Sequence, residues 1–113
     1  MATISRVIPS GSTDGAPVKI TTTTTPGVLF HTAHATALDE VYLYLTNNDT
    51  VDRVVTVEFG DAVAPDHNVS FTAPAKDTIL ALAGVSLTNS KTVRAFCPTA
   101  NVVNMLGYIN RIS

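Results

Sequence analysis

Along the chain, short apolar runs alternate with clusters of Gly, Pro, Asn, Asp and Ser, and no window sustains a 3.6-residue apolar stripe of helical length. The pattern predicts strands. "APVKITTTTT" puts Val18 and Ile20 on one side and continues as a strand through five threonines until Pro26 and Gly27 stop it. A threonine run suits a sheet edge, because Thr has high β-propensity and its hydroxyls keep the edge hydrated. Further strands are predicted over residues 28–32, 40–46, 53–59, 68–72 and 92–97, each bounded by turn residues. "DTILALAGVSL" offers a helix cap in Asp77, but Thr78, Ile79, Gly84 and Val85 favour a strand. In "NVVNMLGYINRI", Val103, Met105 and Ile109 are expected to face inward and Asn104, Tyr108 and Asn110 outward.

The stretch "VYLYLTNNDTVDRVVTVEFG", residues 41–60, reads as two strands around a polar turn, yet neither strand has a plainly wet face. Val41, Leu43 and Leu45 point one way while Tyr42 and Tyr44 point the other. If the two strands pair so that Leu43 shares a face with Val55 and Val57, then Val41, Leu45 and Phe59 join the core side. The reverse side then holds Tyr42, Tyr44, Val54, Thr56 and Glu58. A register one residue away would put the tyrosines with Val55 and Val57 instead. The first arrangement is expected, with Tyr42, Tyr44 and Val54 covered by another surface, either a loop of the same chain or another chain.

Residue types agree with the pattern. The chain holds 17 Thr, 14 Val and 6 Ile, about a third of its length, and such β-branched side chains lose rotamer freedom in helices while fitting a pleated sheet. About eight short strands separated by turns predict an all-β fold. The architecture expected is an antiparallel β-sandwich, jelly-roll-like, with an immunoglobulin-like topology as the alternative. Residues 1–16 hold Ser5, Pro9, Ser10, Gly11, Ser12 and Gly15, with only Ile4, Val7 and Ile8 as apolar anchors, and read as an extended N-terminal arm. That arm lies either on the domain's own sheet or on a neighbour, which makes Ile4, Val7 and Ile8 candidate contact residues beside Tyr42, Tyr44 and Val54. Residues 17–113 form the sandwich domain.

Composition narrows the function classes. A chain of 113 residues suits one domain with one core. Only 14 % of its residues are charged, below the roughly 25 % usual for soluble domains. With a net charge of −2 and no cluster of Lys or Arg, nucleic acid is not an expected partner. No apolar run approaches 18 residues and the start lacks the blocks of a signal peptide, so no membrane partner is expected and synthesis in the cytosol is. Cys97 is the one cysteine, which rules out an intrachain disulfide; between Phe96 and Pro98 it reads as a small buried hydrophobe.

Chemistry has little foothold. His31 and His34 stand three apart, so on a strand they point to opposite faces and do not converge on a metal, and with His67 they are expected as partly exposed loop and strand-end residues. Aligned from Asn47, an EF-hand loop would need glycine where Asp52 stands, and its glutamate, Glu58, falls in a strand; Asx-turn capping fits better. There is no GxSxG, P-loop or GxGxxG, and Asp61 and Asp66 have no acid–base partner in view. "NDT" at Asn48 and "NVS" at Asn68 match glycosylation acceptors without a secretory context. No catalytic residue, cofactor or metal is expected, and the protein is read as a non-enzyme.

The order "NVSFTAPAKDTILALAGVSLTNSKTVRAFCPTANVVNMLGYINRIS", preceded by "VYLYLTNNDTVDRVVTVEFG", resembles small β-rich virion proteins of tailed bacteriophages, of the capsid cement or decoration type. The likeness covers roughly residues 40–113. It rests on Thr46, Asn47 and Asn48, on Leu87 and Asn89, on Val93, Arg94 and Ala95, and on Gly107, Tyr108, Ile109, Asn110 and Ile112. The resemblance implies a non-enzymatic subunit on the capsid surface, assembled in the host bacterial cytoplasm. It would bind and stabilise the major capsid protein lattice, often as a homo-oligomer, with a trimer favoured. It transfers no binding residue, because the matching positions are mainly fold-determining. A tail, neck or fibre-associated virion protein and a carbohydrate-binding sandwich module are the alternatives.

Overall fold

The computed structural model describes residues 2–113. Nine strands follow one another: β1 (Ile4–Val7), β2 (Val18–Lys19), β3 (Val28–Thr32), β4 (Leu38–Asn47), β5 (Arg53–Gly60), β6 (Asn68–Ala73), β7 (Thr78–Leu87), β8 (Thr92–Phe96) and β9 (Val103–Ile112). Among the described residues there is no helix, so none long and apolar enough to cross a membrane. The strands make two antiparallel sheets packed face to face, the expected all-β sandwich. One runs β1-β9-β4-β7, with β2 also on β9; the other runs β3-β8-β5-β6. Four of the pairings nest, β2 with β9, β3 with β8, β4 with β7 and β5 with β6. The chain therefore behaves as one long hairpin folded back across both sheets.

The expected core forms, but by a different route. Val41, Leu43 and Leu45 of β4 and Val55 and Val57 of β5 are fully buried, and Phe59 packs at the margin. Yet β4 and β5 do not pair: β4 lies between β7 and β9, and β5 between β6 and β8. The polar turn hands the chain from one sheet to the other, so the two apolar faces meet across the sandwich instead of lying side by side. Packing sheet on sheet buries both faces at once, which a lone hairpin cannot do. In the turn, Asn47 caps its own backbone as anticipated, its Oδ1 accepting from the Asp49 N–H at 2.9 Å, while its Nδ2 donates to the Val51 and Ala73 carbonyls.

The threonine run departs from its expected form. β2 ends at Lys19, and residues 21–25 are irregular. A run of five identical polar side chains has no apolar face to bury, and here the chain must leave one sheet to enter the other. Glu58 fastens this crossing. Its carboxylate is fully buried, accepting the Gly27 N–H at 2.6 Å and the Thr25 hydroxyl. Arg94, cross-strand from Glu58, donates to the Gly27 carbonyl at 3.1 Å. Glu58→Ala is expected to cost about 1–3 kcal/mol by leaving the Gly27 N–H without its acceptor, read as a lower urea midpoint with an unchanged slope.

The N-terminal arm lies on the domain's own sheet. β1 pairs with β9 from Ile4 opposite Ile112 to Val7 opposite Ile109. The link after it covers the edge of β3: the Gly11 N–H donates to the Phe30 carbonyl at 2.9 Å, and the Thr32 N–H to Ser10 Oγ at 2.7 Å. An edge that would otherwise show unpaired backbone groups is thereby occupied. Met1, the first residue of the expected arm, lies outside the described residues.

Candidate functional site

Alternation along β4 and β9 sends one set of side chains into the core and the other onto the outer face of the five-stranded sheet. That outer set is unusually apolar. Tyr42 stands opposite Tyr108 and their rings stack, with centroids 4.5 Å apart and planes 16° from parallel. Such a stack adds about 0.5–1.5 kcal/mol beyond the area it buries. The Arg6 guanidinium of β1 sits 4.3 Å from the Tyr108 ring centroid, a cation over a π face. On the other side Tyr42 reaches Gly84, which occupies a bulge of β7 at φ +72°; a Cβ there would come within 2.8 Å of the Tyr42 hydroxyl oxygen. The aromatic pair on β4 and β9 is thus flanked by β1 on one side and β7 on the other.

Apolar side chains continue the face in both directions. Towards one end, Tyr44 lies between Leu106 of β9 and Leu80 of β7, and Leu80 is 48 % exposed. Towards the other, Ile4, Ile112 and Leu38 form a cross-strand row, with Ile4 70 % exposed. Arg6, Asn110 and Glu40 form a polar row between these aliphatic side chains and the tyrosines. Exposed apolar patches mark contact sites on protein domains.

The candidate contact residues separate accordingly. Tyr42, Tyr44 and Ile4 share this face, and Ile8 is exposed just beyond the end of β1. Val7 does not join them: it stands opposite the fully buried Ile109 and packs against the core, because it lies at an odd number of positions from Ile4 on a strand of period two. Val54 is exposed but belongs to the outer face of the opposite sheet, a consequence of β4 and β5 not pairing. Arg6, Leu80, Leu106 and Tyr108 were missed as site residues. The signal for two of them was present, since "MLGYI" carries Leu106 and Tyr108 between the inward Met105 and Ile109, the same double-sided pattern as β4.

The titratable side chains do structural work elsewhere. His31, expected to be partly exposed, is only 1 % exposed and lies inside the sandwich, since β3 faces β4 there. Its Nδ1 accepts the Ser10 N–H at 3.0 Å, which leaves the proton on Nε2, and Nε2–H donates to Asp39 Oδ2 at 2.8 Å. Asp39 also accepts from Arg111 Nε at 2.8 Å, from Arg111 Nη2 at 3.0 Å and from the His34 N–H at 3.1 Å. Ser, His and Asp meet here without forming a nucleophilic triad, because serine presents its backbone N–H and its Oγ is engaged by Thr32. His34 Nδ1 accepts the Thr36 and Ala37 N–H groups, and His67 Nδ1 lies 3.0 Å from the Phe59 carbonyl oxygen. Among the described residues no group of three His, Cys, Asp or Glu side chains is placed to hold a metal, and no pocket is found. Cys97 is fully buried, as expected.

Both core titrating groups make the fold acid-sensitive. Burial lowers the His31 pKa below its ordinary 6.5, outweighing the Asp39 carboxylate that favours the charged ring. The unfolded chain therefore binds this proton first, and stability is lost as pH falls below about 6.5 towards the folded value. Burial alone would raise the Asp39 pKa, but hydrogen bonds from Arg111, His31 and the His34 N–H hold it down to about 2, against 3.8 unfolded. Its contribution is present above 3.8 and lost as pH falls from there to 2. The urea midpoint is expected to fall between pH 7.5 and pH 5, and His31→Gln is expected to remove that segment of the pH dependence while leaving the steeper loss below pH 4.

No protein-family model, curated protein or solved structure matches the chain.

Proposed function

We propose that the chain is a non-enzymatic virion structural protein of the capsid cement or decoration type, which binds and stabilises the major capsid protein lattice at the particle surface. The observation that carries this reading is the outer face of the five-stranded sheet, where stacked aromatics and exposed aliphatic side chains lie on a rigid support. Tyrosines bury a large area with two rotatable bonds and keep a polar tip, which makes them good anchors in a protein contact. A subunit that reinforces a shell gains from broad contact areas and needs no cavity. The nested pairing of the strands supports the jelly-roll reading over the immunoglobulin-like one, and jelly rolls are an architecture that capsid proteins use. A fold hosts many roles, so the surface carries the argument and the topology supports it.

Purified particles should contain this chain in many copies, visible by mass spectrometry and placed on the outer capsid by electron microscopy. Particles without it should lose their genome at a lower temperature. Leu80→Glu, which puts a charge on an exposed position of the face, should fold normally and fail to attach. Particles devoid of the chain would overturn the proposal; copies confined to tail or neck would replace it with the alternative virion role.

A further inference from the structure

We propose that the β1, β9 and β4 part of the outer face of the five-stranded sheet is covered by a second copy of this chain, related by a two-fold axis running along β9. The proposal rests on reading that face as a contact surface: the second copy takes the part made by β1, β9 and β4, and β7, with Leu80, is left to the capsid. The argument is self-complementarity. In one cross-strand row, Arg6 of β1 stands opposite Asn110 of β9, which stands opposite Glu40 of β4. One positive and one negative residue therefore flank β9, each with its backbone about 5 Å from it, and Arg6 leans its guanidinium over Tyr108 of β9. Neither takes part in any of the ion pairs among the described residues. A two-fold axis along β9 lays each Arg6 against Glu40 of the other copy, giving two symmetric charge pairs. Asn110 falls on the axis, where an amide meets its own copy and each can donate to the other. Tyr108 and Leu106 on one side of Asn110 and Ile112 on the other fall on the axis too, and give apolar contacts on either side of the charge row.

Sheet packing is compatible with this arrangement. Aligned sheets pack with strands about 30° apart, which an axis tilted about 15° from β9 produces. With the axis on β9 the two copies overlap over β1, β9 and β4 only, and three strands at about 4.8 Å by ten residues at about 3.3 Å bound the footprint at roughly 480 Å² per copy. Two copies bury at most about 950 Å², below the size of standard specific interfaces, so the dimer is expected to be weak and reversible. An isologous contact needs one patch that fits itself, and this face supplies opposite charges placed symmetrically about β9.

Sedimentation of the full chain from about 10 µM to about 1 mM tests it, a span that reaches a weak dimer. The wild type should show a monomer–dimer equilibrium. Arg6→Glu and Glu40→Arg should each weaken it about tenfold or more, because each sets like charges face to face. The double variant should regain the dimer, and an equimolar mixture of the two single variants should form a heterodimer; circular dichroism verifies that each is folded. A wild type that stays monomeric, a trimer, or single reversals that leave self-association unchanged would overturn the proposal. Particle attachment separates the two claims: a monomeric wild type whose Leu80→Glu variant still loses attachment sinks the self-contact and leaves the contact face standing. If Leu80→Glu attaches normally, the reading of the face falls as well.

Discussion

Gly107→Ala is expected to destabilise the fold by about 4 kcal/mol or more, enough to leave much of the protein unfolded or insoluble. Gly107 lies mid-strand in β9, opposite Leu43, with φ +152°. A Cβ at this position would overlap the Tyr42 carbonyl oxygen, which is backbone and has no freedom to swing away. Relief requires β4 and β9, the central strands of the five-stranded sheet, to separate where they pair along ten residues. Such a change combines steric overlap with a conformation that L-residues rarely adopt. Equilibrium urea unfolding measures the loss; a variant within 1 kcal/mol of wild type would show that β9 can shift to accommodate the methyl group.

Asp39→Ala is expected to cost about 3–5 kcal/mol. The Asp39 carboxylate is fully buried and joins three segments: β3 through His31, the following turn through the His34 N–H, and β9 through Arg111. Removing it leaves the His31 Nε2–H and the His34 N–H without acceptors and strips Arg111 of its bidentate partner. Because His31 also holds the Ser10 N–H, the damage should spread to the N-terminal link, with faster amide exchange at Ser10 and Gly11 than elsewhere. Asp39→Asn keeps an acceptor for His31 and should lose less than the alanine variant. Equal losses would mean that the charge on Arg111, and not the hydrogen bonds, dominates.

Much of the strand content was legible because it depends on local pattern. Residues 28–32 emerge as β3 with the expected bounds, and the strands expected at 40–46 and 53–59 are only one or two residues longer at their ends. The inward positions of β4, β5 and β9 were legible for the same reason, since side chains on a strand alternate whatever lies beside it. "DTILALAGVSL" was read as strand from its β-branched residues and Gly84, and β7 agrees. The threonine run failed because β-propensity describes a fit to a half-buried pleated surface, and Thr21 to Thr25 had none to join.

Pairing could not be read in the same way. Whether Leu43 lies beside Val55 or across from it leaves the alternation of both strands unchanged, so no residue in 41–60 distinguishes the hairpin from the crossing. His31 and Asp39 are eight residues apart and Arg111 is 72 beyond Asp39, a separation at which sequence carries no visible sign of contact. The outer face falls between these cases. Its tyrosines were identifiable as a second apolar side of β4, while the stack of Tyr42 on Tyr108, the cation above it and the placement of Arg6 and Glu40 about β9 arise from register between distant strands. Local alternation sets which way each side chain points; long-range backbone pairing sets what it meets, and on this protein the arrangement of the outer face is made by the second.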